Sequence, residues 1–137
     1  MQVTVSLTVE LPSTATFCEI EEACVQASRR AGREAMEQIC RRMEHARGRG
    51  ARRARGGRRR TILTRFGHLT LTRGRARRPD GTRCFPLDER LGLAPHHEAS
   101  PWVRRRGCEL AACHPCREAA GLLSAEVGTH VDHRAIW

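Results

Sequence analysis

Thr61-Ile62-Leu63-Thr64-Arg65-Phe66-Gly67-His68-Leu69-Thr70-Leu71-Thr72 is the stretch whose pattern decides the fold. Thr61 to Thr64 reads as one strand and His68 to Thr72 as a second, with Gly67 making the turn between them. Pro79-Asp80-Gly81 marks another tight turn, since proline presets φ and glycine accepts positive φ. Cys84 and Phe85 then supply a short third strand. Residues 61–93 are therefore expected to form a small β-hairpin or meander.

Immediately upstream the chemistry changes. Residues 41–60 hold ten of the chain's 25 cationic side chains, all of them arginine, against one carboxylate, Glu44. Gly48, Gly50, Gly56 and Gly57 are interleaved with them. A self-repelling, glycine-rich run buries too little apolar surface to order itself, so residues 48–60 are expected to be a flexible basic linker. Arginine placed beside phosphate releases condensed counterions, which makes Arg52, Arg53, Arg55, Arg58, Arg59 and Arg60 candidate DNA contacts. A solvated linker in an arginine-favouring composition accounts for the same residues. Membrane-surface binding fits less well, because no large apolar helix face accompanies the basic run.

Further upstream, Val3, Val5, Leu7, Val9 and Leu11 alternate with polar residues, the period of a strand with one buried face. Thr16-Phe17-Cys18-Glu19 fits a capping box, with Glu19 reaching back to the Thr16 amide. Phe17, Ile20, Cys24, Ala27, Ala31, Ala35, Ile39 and Met43 follow at helical spacing, interrupted by Gly32. Residues 1–47 thus read as a strand followed by a long amphipathic helix. The apolar stripe is expected to pack on another helix, within the chain or across a homo-oligomer formed through residues 16–47.

Downstream, Pro86 to Leu91 reads as a short helical turn stopped by Gly92. Ser100-Pro101 is an N-cap followed by proline at the first helical position, opening a helix to about Cys113. Pro115 restarts a helix carrying Ala119, Ala120, Leu122, Leu123 and Val127, and Gly128 ends it. Val131-Asp132 then begins a last helix. Residues 94–137 are expected to be helical, and 116–137 have the layout of a helix-turn-helix cut short. In that motif the second helix enters the major groove, which adds Arg117, His133 and Arg134 to the candidate DNA contacts.

The outcome is an α+β chain of 137 residues with a formal charge of +10. With 39% hydrophobic and 4% aromatic residues it can bury one modest core and hardly two. No apolar run approaches the ~20 residues of a membrane helix. Met1 to Leu11 lacks the basic region of a secretory signal, so a cytoplasmic location and reduced thiols are expected.

Thr64 to Arg73, then Phe85-Pro86-Leu87-Asp88-Glu89-Arg90-Leu91-Gly92-Leu93, then Ser100-Pro101, then Arg117-Glu118-Ala119-Ala120-Gly121-Leu122-Leu123, resembles the N-terminal half of bacterial insertion-sequence transposases of the ISKra and ISLre type. The helix from Phe17 to Met43 is also similar, so the resemblance covers about residues 16 to 137. Met1 to Leu11 has no counterpart in it. The resemblance implies a region that binds double-stranded DNA ahead of an RNase-H-like domain, whose three acidic residues hold divalent metal such as Mg²⁺. It places Asp88 and Glu89 before that domain. They are therefore expected to orient the loop around Leu87 and Leu91 rather than to catalyse. The chain is expected to be catalytically inactive alone, with no cofactor of its own.

Cys113-His114-Pro115-Cys116 is a lone Cys-x-x-Cys, whereas zinc usually takes two such pairs. Cys84, Cys108, His96, His97, His130 and His133 stand at no paired spacing. No metal site is expected, and Cys108, Cys113 and Cys116 read as small apolar residues at helix contacts. The alternative is a small zinc- or RNA-binding interaction protein that uses Cys113 and Cys116.

Overall fold

The computed structural model describes residues 1–46 and 57–133. Helix α1 spans Phe17–His45. Strands β1 (Arg58–Thr64) and β2 (Gly67–Arg73) follow, then the two-residue strands β3 (Ala76–Arg77) and β4 (Arg83–Cys84). Three helices complete the order: α2 (Pro86–Arg90), α3 (Pro101–Cys113) and α4 (Cys116–Val127).

The capping box forms as its spacing requires. The Thr16 hydroxyl accepts from the Glu19 amide, and a Glu19 carboxylate oxygen accepts from the Thr16 amide at 2.7 Å. These contacts hold the Glu19 carboxyl below its ordinary range, first through the backbone hydrogen bond. The strand expected over Val3–Leu11 does not form. Its alternation survives only as half-buried Val3, Val5 and Val9, and no described strand lies alongside to complete a ladder. The segment is tied down instead where Arg42 donates to the Gln2 carbonyl.

β1 and β2 pair antiparallel from Arg58↔Arg73 to Thr64↔Gly67. The Thr64 hydroxyl closes the turn by donating to the Gly67 carbonyl at 2.8 Å and accepting from the Phe66 amide at 3.2 Å. Gly67 exits the turn at φ 91°, a conformation that disfavours a side chain. The strand starts at Arg58, so the basic linker expected to reach residue 60 ends earlier. β3 and β4 form the second small ladder, so the strand expected at Cys84–Phe85 lies at Arg83–Cys84 and is the fourth, paired with a β3 the sequence reading did not place.

Alternation across the hairpin separates two apolar clusters. Ile62, Leu69 and Leu71 meet Cys40 and Met36 of α1. Leu63, from the opposite face of β1, joins Val103, Leu110, Leu123, Val127 and Val131. The single core expected from composition is thus two small clusters on opposite sides of one hairpin.

The stripe of α1 accordingly packs mainly on β2, with a smaller contact to α2. Its buried line passes through Ala27, Met36 and Cys40, while Cys24 and Ile39 are exposed or nearly so. Gly32 has a packing reason: a Cβ there would come within 2.6 Å of the Phe66 ring, which rests on the bare helix backbone.

The C-terminal helices form where the sequence places them. The Ser100 hydroxyl accepts from the Val103 amide, Pro101 opens α3, and Gly128 ends α4 in the left-handed region at φ 70°. Buried Ala119 and Ala120 face inward on α4. Arg106 joins α3 to α4 by donating to both Glu126 carboxylate oxygens, at 2.9 and 3.0 Å from Nε. Arg29 of α1 donates to the Ala125 carbonyl at 2.8 Å, satisfying a terminal carbonyl of α4. Val131 packs with Leu123 and Val127. Arg134 and the remaining residues expected to form the second helix of a helix-turn-helix lie outside the described residues.

Candidate nucleic-acid interface

Arg58, Arg59 and Arg60 are adjacent in sequence but have different fates. Strand alternation turns Arg60 inward, where its side chain is only 10% exposed. Its guanidinium donates to Asp88 Oδ2 at 2.8 Å, to the Ala94 carbonyl at 2.7 Å and to the His97 carbonyl at 2.5 Å. Arg73 donates to the same Asp88 oxygen and lies over the Phe85 ring, 4.0 Å from its centroid. Arg60, expected among the DNA contacts, is therefore occupied inside the fold. Asp88 holds two arginines at once, a stronger role than orienting its own loop; the N-cap of α2 has no side-chain hydrogen bond.

Arg58 and Arg59 are exposed. Register puts Arg59 on the open face of the hairpin with Thr61, Thr70 and Thr72, all solvent-facing. Arg52, Arg53 and Arg55 lie outside the described residues. Arg117 is exposed on the first turn of α4, and His133 is exposed with Nδ1 3.3 Å from Asp132.

Three clefts are joined by shared lining residues. The first, about 490 Å³, is bordered by Arg60, Arg73, Arg78 and Arg83 together with Asp88 and Glu89. Arg78 pairs with Glu89 at 2.5 Å, which raises the Arg78 pKa through the hydrogen bond first. The second, about 350 Å³, shares His96 with the first and is lined also by His68, His97 and His130. The third, about 350 Å³, shares His130, Val131 and Asp132 with the second and is bordered by Arg117 and His133. Among the described residues Arg58, Arg59, Arg83 and Arg117 have no ion-pair partner, so their charge is available to an anion.

The middle cleft owes its position to backbone contacts that leave no mark in the sequence. The Leu63 amide donates to the Glu98 carbonyl at 2.7 Å, and the Ser100 amide donates to the Leu63 carbonyl at 2.9 Å. This single parallel rung sets the His96-His97-Glu98 segment beside β1, whose Leu63 pairs with His68 on β2. His96, at φ 64°, is the one non-glycine in the left-handed region among the described residues. Sequence spacing brings His96, His97 and His130 forward only as metal ligands, and it marks neither His68 nor the arginines at positions 73, 78 and 83.

Cys113 ends α3 and Cys116 begins α4; both are exposed, as is Cys108, so none serves as an apolar contact. Cys40 is the buried thiol, and desolvation, then the nearby Glu37, pushes its pKa up. Among the described residues no group of three or more His, Cys, Asp or Glu is arranged to hold a metal ion. Nor is any described helix long and apolar enough to cross a membrane.

Residues 12–137 match the model of the Uncharacterised protein family (UPF0236), and the chain belongs to that family. No curated protein matches it. No solved structure matches it either.

Proposed function

We propose that this chain is a DNA-binding module, of the kind that its resemblance to insertion-sequence transposases implies, acting in DNA transposition. The observation that carries the reading is the set of three clefts joined by shared residues, with Arg83 bordering one and Arg117 another. Arg58 and Arg59 add cations at the base of the hairpin, next to the basic residues 47–56 in sequence. Guanidinium groups free of internal carboxylates gain most from phosphate, because no existing ion pair must be broken.

The test is fluorescence anisotropy with duplex DNA at several salt concentrations. If six phosphates are neutralised, affinity falls by about 1,000-fold between roughly 50 and 200 mM salt. Changing Arg58 and Arg59 together to alanine lowers the salt slope by about 2, one for each phosphate no longer neutralised. Absence of any complex in dilute buffer defeats the proposal.

A homo-oligomer through α1 belongs to the same reading. The hairpin covers the C-terminal part of α1, while Phe17, Ile20 and Val25 near its start are exposed. Sedimentation of the chain against Ile20→Glu checks this: the parent is expected to associate and the variant to be monomeric. A monomeric parent at high concentration removes the oligomer and leaves DNA binding standing.

A further inference from the structure

The middle cleft differs in chemistry from its two neighbours. Its floor is apolar, from Leu63 and Val131, which are 6% and 4% exposed. Its walls are four imidazoles, His68, His96, His97 and His130. Two carboxylates, Glu98 and Asp132, also border it, and among the described residues no arginine does. A phosphate fits less well here than beside Arg83 or Arg117, since the Glu98 carboxylate borders the cleft. The flanking clefts, with Arg83 on one side and Arg117 on the other, suit phosphate better.

We propose that the His68/His96/His97/His130 cleft receives an unpaired nucleobase of DNA whose backbone phosphates lie against the flanking arginines. The inference rests on the DNA-binding reading above and goes beyond it by naming the part of the nucleic acid that is recognised. A volume of about 350 Å³ falls at the small end of ligand pockets and suits a flat heterocycle. Imidazole rings offer π faces for stacking, as histidine does where unpaired bases are bound. Glu98 can accept a hydrogen bond from an exocyclic amino group, which thymine lacks, so adenine, guanine and cytosine are favoured over thymine.

The cleft is also preorganised. Arg60 clamps the Ala94 and His97 carbonyls, and the Leu63 rung fixes Glu98 and Ser100. Arg60 thus acts as a positioning residue for the loop that carries His96 and His97.

The test uses the full chain and two otherwise identical duplexes, one fully paired and one carrying a single unpaired 2-aminopurine, an adenine analogue that fluoresces. The unpaired duplex is expected to bind about tenfold more tightly, within the range that base stacking supports. Its emission should change on binding. A His68→Ala and a His96→Ala variant, each at an exposed position, should lose the preference, read as the ratio of the two affinities. Equal affinity for both duplexes with unchanged emission overturns the base-binding cleft and leaves duplex binding intact. A preference that survives both histidine variants overturns the assignment to this cleft. Failure to bind either duplex overturns the DNA-binding reading itself.

Discussion

At its base the β1–β2 hairpin is anchored by charge, through Arg60 and Arg73 on Asp88. At its turn it is anchored by apolar packing, with Phe66 on Gly32 and Leu63 in the cluster that includes Val103, Leu123 and Val127. The two anchors fail differently. Apolar packing weakens in proportion to what is removed, whereas a buried ion cluster without its central carboxylate leaves two guanidinium groups desolvated and opposed. The base also carries functional consequences, because the same Arg60 holds the loop of the proposed base-binding cleft.

The largest expected effect therefore belongs to the base. Asp88→Ala should destabilise the chain by about 3–5 kcal/mol, the scale for breaking a buried pair by removing one partner. Urea denaturation followed by circular dichroism measures it. A destabilisation no larger than a surface pair gives would show that Arg60 and Arg73 escape to solvent, and the contrast between the two ends would collapse.

Gly32→Ala probes the turn. Helix propensity favours alanine by about 1 kcal/mol, but the new Cβ meets the Phe66 ring at 2.6 Å. Overpacking costs about 1–3 kcal/mol, so a net decrease in stability is expected, and Phe66→Ala in the same chain should recover the helix gain. A Gly32→Ala variant more stable than the parent would mean that the turn does not dock on α1.

Arg29→Ala should cost about 1 kcal/mol, the scale of a solvent-accessible hydrogen bond. Hydrogen exchange locates the effect, which is expected in the last turn of α4, where Arg29 meets Ala125. Uniform exchange along α4 would remove Arg29 as the link between α1 and that end.

The smallest effect is acidic. Hydrogen bonds from Arg106 hold the Glu126 carboxyl below its ordinary range, against weak desolvation. The unfolded chain therefore takes up a proton first. The stabilisation is complete above the unfolded value of about 4.3 and is lost as pH falls toward the depressed folded value. Denaturation midpoints for the parent and Glu126→Gln should differ near neutrality and converge in acid. Parallel curves would contradict it. Thiol labelling adds a check on the other cluster: exposed Cys18, Cys24, Cys108, Cys113 and Cys116 should react quickly, and buried Cys40 slowly until the packing against α1 opens.

Elements whose causes are local were legible. The Thr16 capping box, the Ser100-Pro101 start and the Gly128 stop each depend on residues within one or two turns of one another, and each forms as expected, whereas the turn expected at Gly67 lies at Arg65-Phe66 and Gly67 opens β2. Val3–Leu11 carries an equally local β signal and forms no strand, because a strand needs a neighbour that periodicity cannot supply. Spacing alone sets the later part of the α1 stripe one position away from the line that includes Met36 and Cys40. Apolar spacing says that a helix has a buried face but not which neighbour, helix or sheet, will cover it.

Sequence by itself determined the element order, the caps and the concentration of arginine ahead of the hairpin, since these follow from backbone preferences and charge counting. Only the tertiary structure decided that Arg60 turns inward to Asp88 while Arg58 and Arg59 face solvent. It alone brought His68, His96, His97 and His130, separated by up to 62 positions, around one cleft. Burial and long-range pairing are properties of the assembled layers: a guanidinium has the same composition in either setting, and its surroundings decide whether it binds its own chain or is left for another.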